Sequence, residues 1–479
     1  MQTYDLIVRG GTIVNGQGRA RADICVRGGR IEALTLDTTS VAKCVIDARH
    51  KLVLPGVIDS HVHMQLTQQD KYQTADDFAS GTRAAAAGGI TTILDFFQPG
   101  QDGQPLWDAF QARKDQAGPQ VLVDYGLHAV LVADTILSAE IDRLIDAGVT
   151  SFKLFQVYGR MALSDVQLYE ALELVASRQA MATLHAENGQ IADMLTYRLR
   201  TQAKTSAIHH AHSRPAFVEA DCIQTAVNFS RAVGANLYIV HLSTQQGVDA
   251  VIAGLRAGAR VLAETCPHYL VLDETLLDTQ DGNLFLCTPP LRPRDNQPAL
   301  WHGLREGPIH VAATDHCCFL RAQKLGARAF YQAPSGVGSV ELLLPILYSE
   351  GVCRGRISLE RLVQVLCRNP ATVFGLADRK GHIVPGADAD MVILDPEASW
   401  VVDSRRMHGK DDYSIYEGMR LQGRVEATVS RGEIIYRKGE ILGIAGRGRF
   451  LERSLPDREA LNRLLGAGPS AGEGDEGST

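Results

Sequence analysis

Between residues 55 and 375 the chain sets short apolar runs against intervals that mostly read as helix. The runs are GVIDSHVH, TTILDFF, VDYGLHAVL, SFKLFQV, ATLHAE, NLYIVHLS, RVLAETC and HVAATDHC. Among the intervals are DDFASGTRAAAAGG, DVQLYEALELVASRQ and PAFVEADCIQTAVNFSRAVG. Apolar runs of this length read as strands buried on both faces. Alternation with helices makes them parallel, joined by crossovers. Eight such runs predict a (β/α)8 barrel, in which catalytic groups stand at the C-terminal ends of the strands.

The polar residues at those ends are unusual. The first run ends in His61 and His63. Residues at i and i+2 of a strand share a face, so both imidazoles would aim into one space. The fourth run carries Lys153, the fifth His185, the sixth His241 and the eighth Asp315. Each alone has an ordinary explanation: a satisfied core histidine, a snorkelling lysine, an aspartate capping a turn. Together they would converge on one barrel mouth. Histidine and carboxylate are ligands for zinc and similar divalent ions, and four histidines with an aspartate suit two ions better than one. An ammonium cannot ligate. Burial, however, lowers a lysine pKa, and the neutral amine can add carbon dioxide to give a carbamate, an anion whose two oxygens could bridge two cations.

The ends of the chain have another texture. Residues 1–54 read as short strands separated by Gly-Gly and Asp/Asn turns, as in an antiparallel meander, and similar runs return in HIVPGADADMVILDP and VEATVSRGEIIYRKGEI. The expected organisation is a β-sandwich domain built from 1–54 and 376–440 around a barrel of 55–375, then an extension, 441–479. That extension holds one helix, DREALNRLL, and ends in GAGPSAGEGDEGST, whose composition predicts disorder. A net charge of −7 without a basic stripe argues against a nucleic-acid partner. The start, MQTYDLIVRGGTIVNG, lacks the pattern of a signal peptide, and no apolar stretch is long enough for a membrane span. Nine cysteines without a C-x-x-C pair suit reduced thiols in a cytoplasmic protein, and Cys317 and Cys318 read as buried thiols.

The set DSHVH, GVTSFKLF, LHAEN, VHLS and TDHC, in this order, resembles the cyclic amidohydrolases. TADDFASGTRAAAAGGITTILDF, HHAHSRPAFVEADC, ETCPHYL, CTPPLR and RNPATVFGL…KGHIVPGADADMVILDP narrow the resemblance to the dihydropyrimidinase/hydantoinase branch, over roughly residues 1–440. The resemblance implies that His61, His63 and Asp315 hold the more buried of two divalent ions. His185 and His241 would hold the second, and Lys153, as N6-carboxylysine, would bridge them. Zinc is the first expectation, with manganese, cobalt or nickel also suited. Tyr158 would help hold the substrate carbonyl oxygen, and Asp315 would move a proton. The implied reaction opens a dihydropyrimidine or hydantoin ring to an N-carbamoyl amino acid, by attack of a hydroxide shared between the metals. The implied assembly is a homotetramer.

Two positions depart from the branch pattern. Thr288 stands where serine is usual, and Ser335 where asparagine is frequent; in the branch both positions contact the ring amide mainly through backbone groups. The segment MQLTQQDKYQ is more polar than a lid for bulky apolar hydantoins, so an allantoinase or another cyclic imide hydrolase is the alternative. A dihydroorotase would place an arginine soon after HxH, where this chain has Met64-Gln65. A non-catalytic dihydropyrimidinase-like interaction protein would have lost ligands that are all present here. His209, His210 and His212 in IHHAHS fall in a loop after the fifth strand by the same resemblance and are not expected to ligate.

Overall fold

The computed structural model describes residues 3–36, 39–100, 103–135 and 138–466. Its central element is a sheet of eight parallel strands: β1 Val57–Asp59, β2 Ile90–Phe97, β3 Asp124–Val130, β4 Ser151–Phe155, β5 Met181–His185, β6 Asn236–Ile239, β7 Val261–Thr265 and β8 Val311–Ala312. They neighbour one another in chain order. A parallel bridge between Val62 and His316 brings the two edges together, with His63 N–H donating to His316 O at 2.8 Å. Every strand residue is buried, which is why these runs look continuously apolar instead of alternating.

Helices cover the outside, among them Phe78–Ala87, Leu106–Ala117, Asp165–Ser177, Ala216–Val233, Gln245–Arg256 and Gln297–Glu306. Asp77 and Ser164 start two of them with reciprocal capping boxes through Ser80 and Gln167. Such a cap contributes about 1 kcal/mol and fixes where the helix begins. The IHHAHS segment is helical too, Ile208–Ser213, where a loop was expected. No glycine or proline interrupts it before Pro215, so nothing in it opposes a helical turn.

The terminal segments form two sheets. Thr3–Arg9 lies between Asp23–Arg27 and Val41–Asp47, with Arg30–Thr35 outermost; Thr12–Asn15, Gly18–Arg21 and Leu52–Pro55 join the C-terminal strands Met391–Val401, Arg420–Ser430, Glu433–Arg437 and Glu440–Ile441. This is not the antiparallel meander expected for residues 1–54. The first strand pairs parallel with Val41–Asp47, and the N-terminal strands divide between the sheets. The division lets Leu6, Val8, Ile24 and Val26 pack with Ile13, Val53, Met391, Ile393 and Val429 in one core, which a single sheet could not provide. The segment after Ile441 runs back under β3, where Tyr125 exchanges backbone hydrogen bonds with Arg449 and Leu451. The low-complexity stretch beyond residue 466 lies outside the described residues.

A buried ion network ties the sandwich to the N-terminal end of β3. Lys380 Nζ donates to Asp124 Oδ2 at 3.0 Å and to Asp390 Oδ2 at 2.5 Å, and Arg431 Nε reaches Asp124 Oδ1 at 3.1 Å. Burial opposes the charge on Lys380, but Asp390, Asp124 and Asp388 outweigh it and hold the ammonium above its ordinary pKa. Lys380→Met leaves these carboxylates with too little compensating charge and is expected to lower stability by about 3–5 kcal/mol, read by urea unfolding.

Candidate active site

Alternation along β4 sets the direction of Lys153. Ser151 Oγ meets the barrel histidine His128 Nδ1 at 2.6 Å, and Lys153, two residues on, shares that inward face. Its Nζ lies 5.2 Å from the Phe96 ring centroid and 5.1 Å from that of Phe155. Burial lowers its pKa to about 8, with Asp315 and Glu264 limiting the fall. Around it the imidazoles form a continuous row. Ring centroids are 5.2 Å apart for His63 and His61, 5.5 Å for His61 and His241, and 4.4 Å for His241 and His185. Asp315 Oδ1 stands 3.2 Å from His61 Nε2 and 3.1 Å from His63 Nε2. The six residues singled out at the strand ends thus share one cavity.

Proton positions test whether this cavity suits cations. Glu264, buried on β7, accepts hydrogen bonds from Tyr238 Oη at 2.7 Å and from His241 N–H at 3.2 Å, so it acts as a carboxylate acceptor. Its Oε1 lies 2.5 Å from His61 Nδ1, which places the imidazole proton on Nδ1. His61 Nε2 then turns a lone pair toward Asp315 Oδ1, and that buried nitrogen makes no hydrogen bond. His241 Nδ1 is likewise buried without a partner. On the other side, His185 Nε2 meets Glu187 Oε2 at 2.7 Å, and Arg214 donates to the same oxygen at 2.7 Å. Burial raises the Glu187 pKa, but Arg214 and His185 outweigh it and bring the group to about 2. Glu187 is therefore an acceptor, and His185 keeps its Nδ1 lone pair for the cavity. Desolvation lowers the pKa of His63, His185 and His241, which favours neutral, ligating imidazoles. Neutral imidazoles and a carboxylate facing one another at such distances fit divalent ions.

Three site residues sit in the left-handed region without being glycine: Tyr158 at φ 75°, His241 at φ 40° and Asp315 at φ 49°. Each such conformation costs roughly 1–3 kcal/mol and persists where the surroundings over-determine it. Here it turns side chains at strand exits back over the mouth. The Tyr158 ring lies 5.0 Å from that of His185, and its hydroxyl adjoins Thr288. The residue is 37% exposed at the mouth, but desolvation around its hydroxyl pushes the phenol pKa up, so it stays a proton donor. Thr288 Oγ1 in turn lies 2.7 Å from Ser335 Oγ. Tyr158, Thr288 and Ser335 therefore gather three hydroxyls along the edge of the cavity, the last two hydrogen-bonded to each other.

Other candidates fall away. His210 Nε2 donates to Cys287 O at 2.9 Å, bracing the strand of chain that carries Thr288, while His209 and His212 pair with each other at 5.4 Å. Asp76, His316 and Cys318 cluster within ligand range and are buried. Yet His316 Nδ1 accepts from Ser339 N–H at 3.1 Å and Nε2 donates to Asp76 Oδ2 at 3.1 Å, so neither nitrogen is left for an ion. Cys317 and Cys318 are buried, and burial raises both thiol pKa values, as expected of inert thiols.

Glu264, Glu187 and Arg214 were not singled out from sequence, although they set the tautomers of two site histidines. The available signal was a carboxylate inside an apolar run, LAETC, and another two residues after His185.

The amidohydrolase family model matches residues 52–435. The chain is 38% identical over 454 residues to the D-phenylhydantoinase of Escherichia coli O1:K1, covering 94% of this chain and 98% of that one. It is 37% identical over 460 residues to the D-hydantoinase of Streptomyces coelicolor, with the same coverage. Among solved structures, the dihydropyrimidinase from Brevibacillus agri superposes with a TM-score of 0.92 at 34% identity, covering 94% of this chain and 99% of that one. The chain belongs to the amidohydrolase family, in its dihydropyrimidinase/hydantoinase branch.

Proposed function

We propose that the protein hydrolyses a ring C–N bond of a cyclic amide, a dihydropyrimidine or a hydantoin, to give an N-carbamoyl amino acid. The observation that carries this reading is the convergence of His61, His63, Lys153, His185, His241 and Asp315 on one cavity, with His61 Nε2 and His241 Nδ1 buried there without hydrogen-bond partners. The relatives are hydantoinases and a dihydropyrimidinase by name, which supports the same substrate class.

His61, His63 and Asp315 would hold one divalent ion, His185 and His241 another, and Lys153, carboxylated on Nζ, would join both. Zinc is the first choice for these donors, with manganese, cobalt and nickel as substitutes. Bound there, such ions supply hydroxide at neutral pH and polarise a carbonyl. The protein's own groups do the rest. Tyr158 donates its hydroxyl hydrogen bond to the carbonyl oxygen as charge builds on it. Thr288 and Ser335 present backbone groups to the ring amide. Asp315, kept ionised by the imidazoles although burial opposes this, takes the proton of the attacking water and delivers it to the leaving ring nitrogen. We further propose a cytoplasmic homotetramer, which light scattering on the purified protein checks.

Tyr158→Phe removes one oxyanion donor and is expected to lower kcat by about 10²–10³-fold with a smaller change in KM. A kcat of Tyr158→Phe equal to that of wild type on every substrate would remove the tyrosine from this role. The reaction itself is tested by kcat/KM on metal-replete protein for dihydrouracil, hydantoin, 5-substituted hydantoins, allantoin and dihydroorotate. Allantoin, with its polar ureido substituent, is the second reading, on the polarity of residues 64–73. A preference for allantoin of tenfold or more makes that reading the first.

A further inference from the structure

The segment after His63 folds into a small hairpin, Thr67–Gln68 paired with Tyr72–Gln73, and three of its side chains pin it to residues 332–335. Tyr72 Oη donates to Gln332 O at 3.2 Å, and Gln69 Nε2 to Ala333 O at 3.4 Å. Gln68 takes both peptide groups of Ser335: its Nε2 donates to Ser335 O at 2.7 Å, and its Oε1 accepts from Ser335 N–H at 3.1 Å. A primary carboxamide presents its oxygen and one N–H on the same side. Among peptide-like groups only a cis amide does this, and small rings enforce that geometry where open chains avoid it. Gln68 therefore offers Ser335 the donor–acceptor edge of a lactam or imide ring.

The location makes this more than a tether. Ser335 Oγ bonds Thr288 Oγ1 at 2.7 Å, and Thr288 adjoins the Tyr158 hydroxyl, whose ring lies 5.0 Å from that of His185. The hairpin turn has Gln69 at φ 53° and Asp70 at φ 50°, with Lys71 N–H donating to Gln68 O at 3.1 Å. A tight turn of two left-handed non-glycine residues is locally unfavourable, so the hairpin depends on its docking contacts for its shape.

We propose that Gln68 is an internal stand-in for the substrate's ring amide. In the resting protein it occupies the Ser335 peptide N–H and C=O; a cyclic amide displaces it, and apparent affinity reflects the competition. This rests on the cyclic-amide reading above and adds the residue that competes with substrate. Apparent affinity falls by the fraction of sites that are free, so removing the competitor raises it.

The experiment compares wild type, Gln68→Ala and Gln68→Glu, all metal-replete. The glutamate keeps an acceptor for Ser335 N–H but has no donor for Ser335 O. Both variants are expected to lower KM for dihydrouracil or hydantoin by about three- to tenfold without a fall in kcat, the scale of one neutral hydrogen bond. Acetamide, a free carboxamide, should inhibit Gln68→Ala competitively at lower concentration than wild type. Amide exchange in the peptide containing Ser335, measured without substrate, should be faster in Gln68→Ala. A raised KM or a reduced kcat in both variants makes Gln68 a strut that positions Ser335, and overturns the proposal. No turnover of any cyclic amide by wild type overturns the functional reading and this inference with it, whereas turnover with unchanged KM in the variants overturns this inference alone.

Discussion

Lys153→Ala will purify with far less metal than wild type and turn over substrate roughly 10³-fold or more slowly, because the carbamate is the one proposed group that touches both ions. The geometry behind this expectation is specific. Lys153 is buried at the centre of the imidazole row and close to no carboxylate within salt-bridge range among the described residues. A structural ion pair therefore does not account for it. Its pKa, lowered by burial to about 8, leaves far more neutral amine near neutral pH than the ordinary value would, and only the neutral amine adds carbon dioxide. Reassembly of metal-stripped protein with bicarbonate and metal should accordingly be faster at pH 8.5 than at pH 6.5. Short carboxylic acids such as acetate or propionate should restore part of the metal content of Lys153→Ala by supplying the missing oxygens. Lys153→Met serves as a control that keeps the packing while losing the amine. Full metal content and activity in either variant would remove the bridge from the account.

What the sequence disclosed and what it concealed divide along one physical line. His61 and His63 were legible because strand geometry fixes where i and i+2 point, and the eight apolar runs were legible because parallel strands are buried on both faces. The partners of those groups were not. Glu264 meets His61 across more than 200 positions of chain, through a contact that exists only once β1 and β7 stand at the same mouth. Lys380 and Asp124 meet 256 positions apart in the same way. The left-handed backbone of Tyr158, His241 and Asp315 had no local sign, since none is a glycine and each conformation is imposed by its surroundings. The lid was the most misleading segment. Gln68 and Gln69 look like a polar lining for substrate, but their carboxamides are committed to the 333–335 backbone.

Glu264→Gln should lower metal affinity by about 10- to 100-fold while leaving the fold in place. Glutamine keeps the volume of the side chain and one oxygen, which can still accept from Tyr238 Oη at 2.7 Å and from Ser60 Oγ at 3.4 Å, so the packing there survives. What it loses is the charge that holds the His61 proton on Nδ1 at 2.5 Å and so directs the Nε2 lone pair at the cavity. With a neutral amide the competing tautomer becomes accessible, and His61 then offers an N–H to a cation in part of the population. The carboxylate also accepts from the His241 backbone N–H at 3.2 Å, so one substitution loosens a ligand on each side of the cavity. Chelator competition gives the metal affinity, and thermal unfolding of the metal-free protein gives the fold. A loss of affinity at nearly unchanged metal-free Tm is the expected pattern. A lowered Tm with wild-type affinity would instead make Glu264 a buried acceptor for Tyr238 with no hold over the metal ligands.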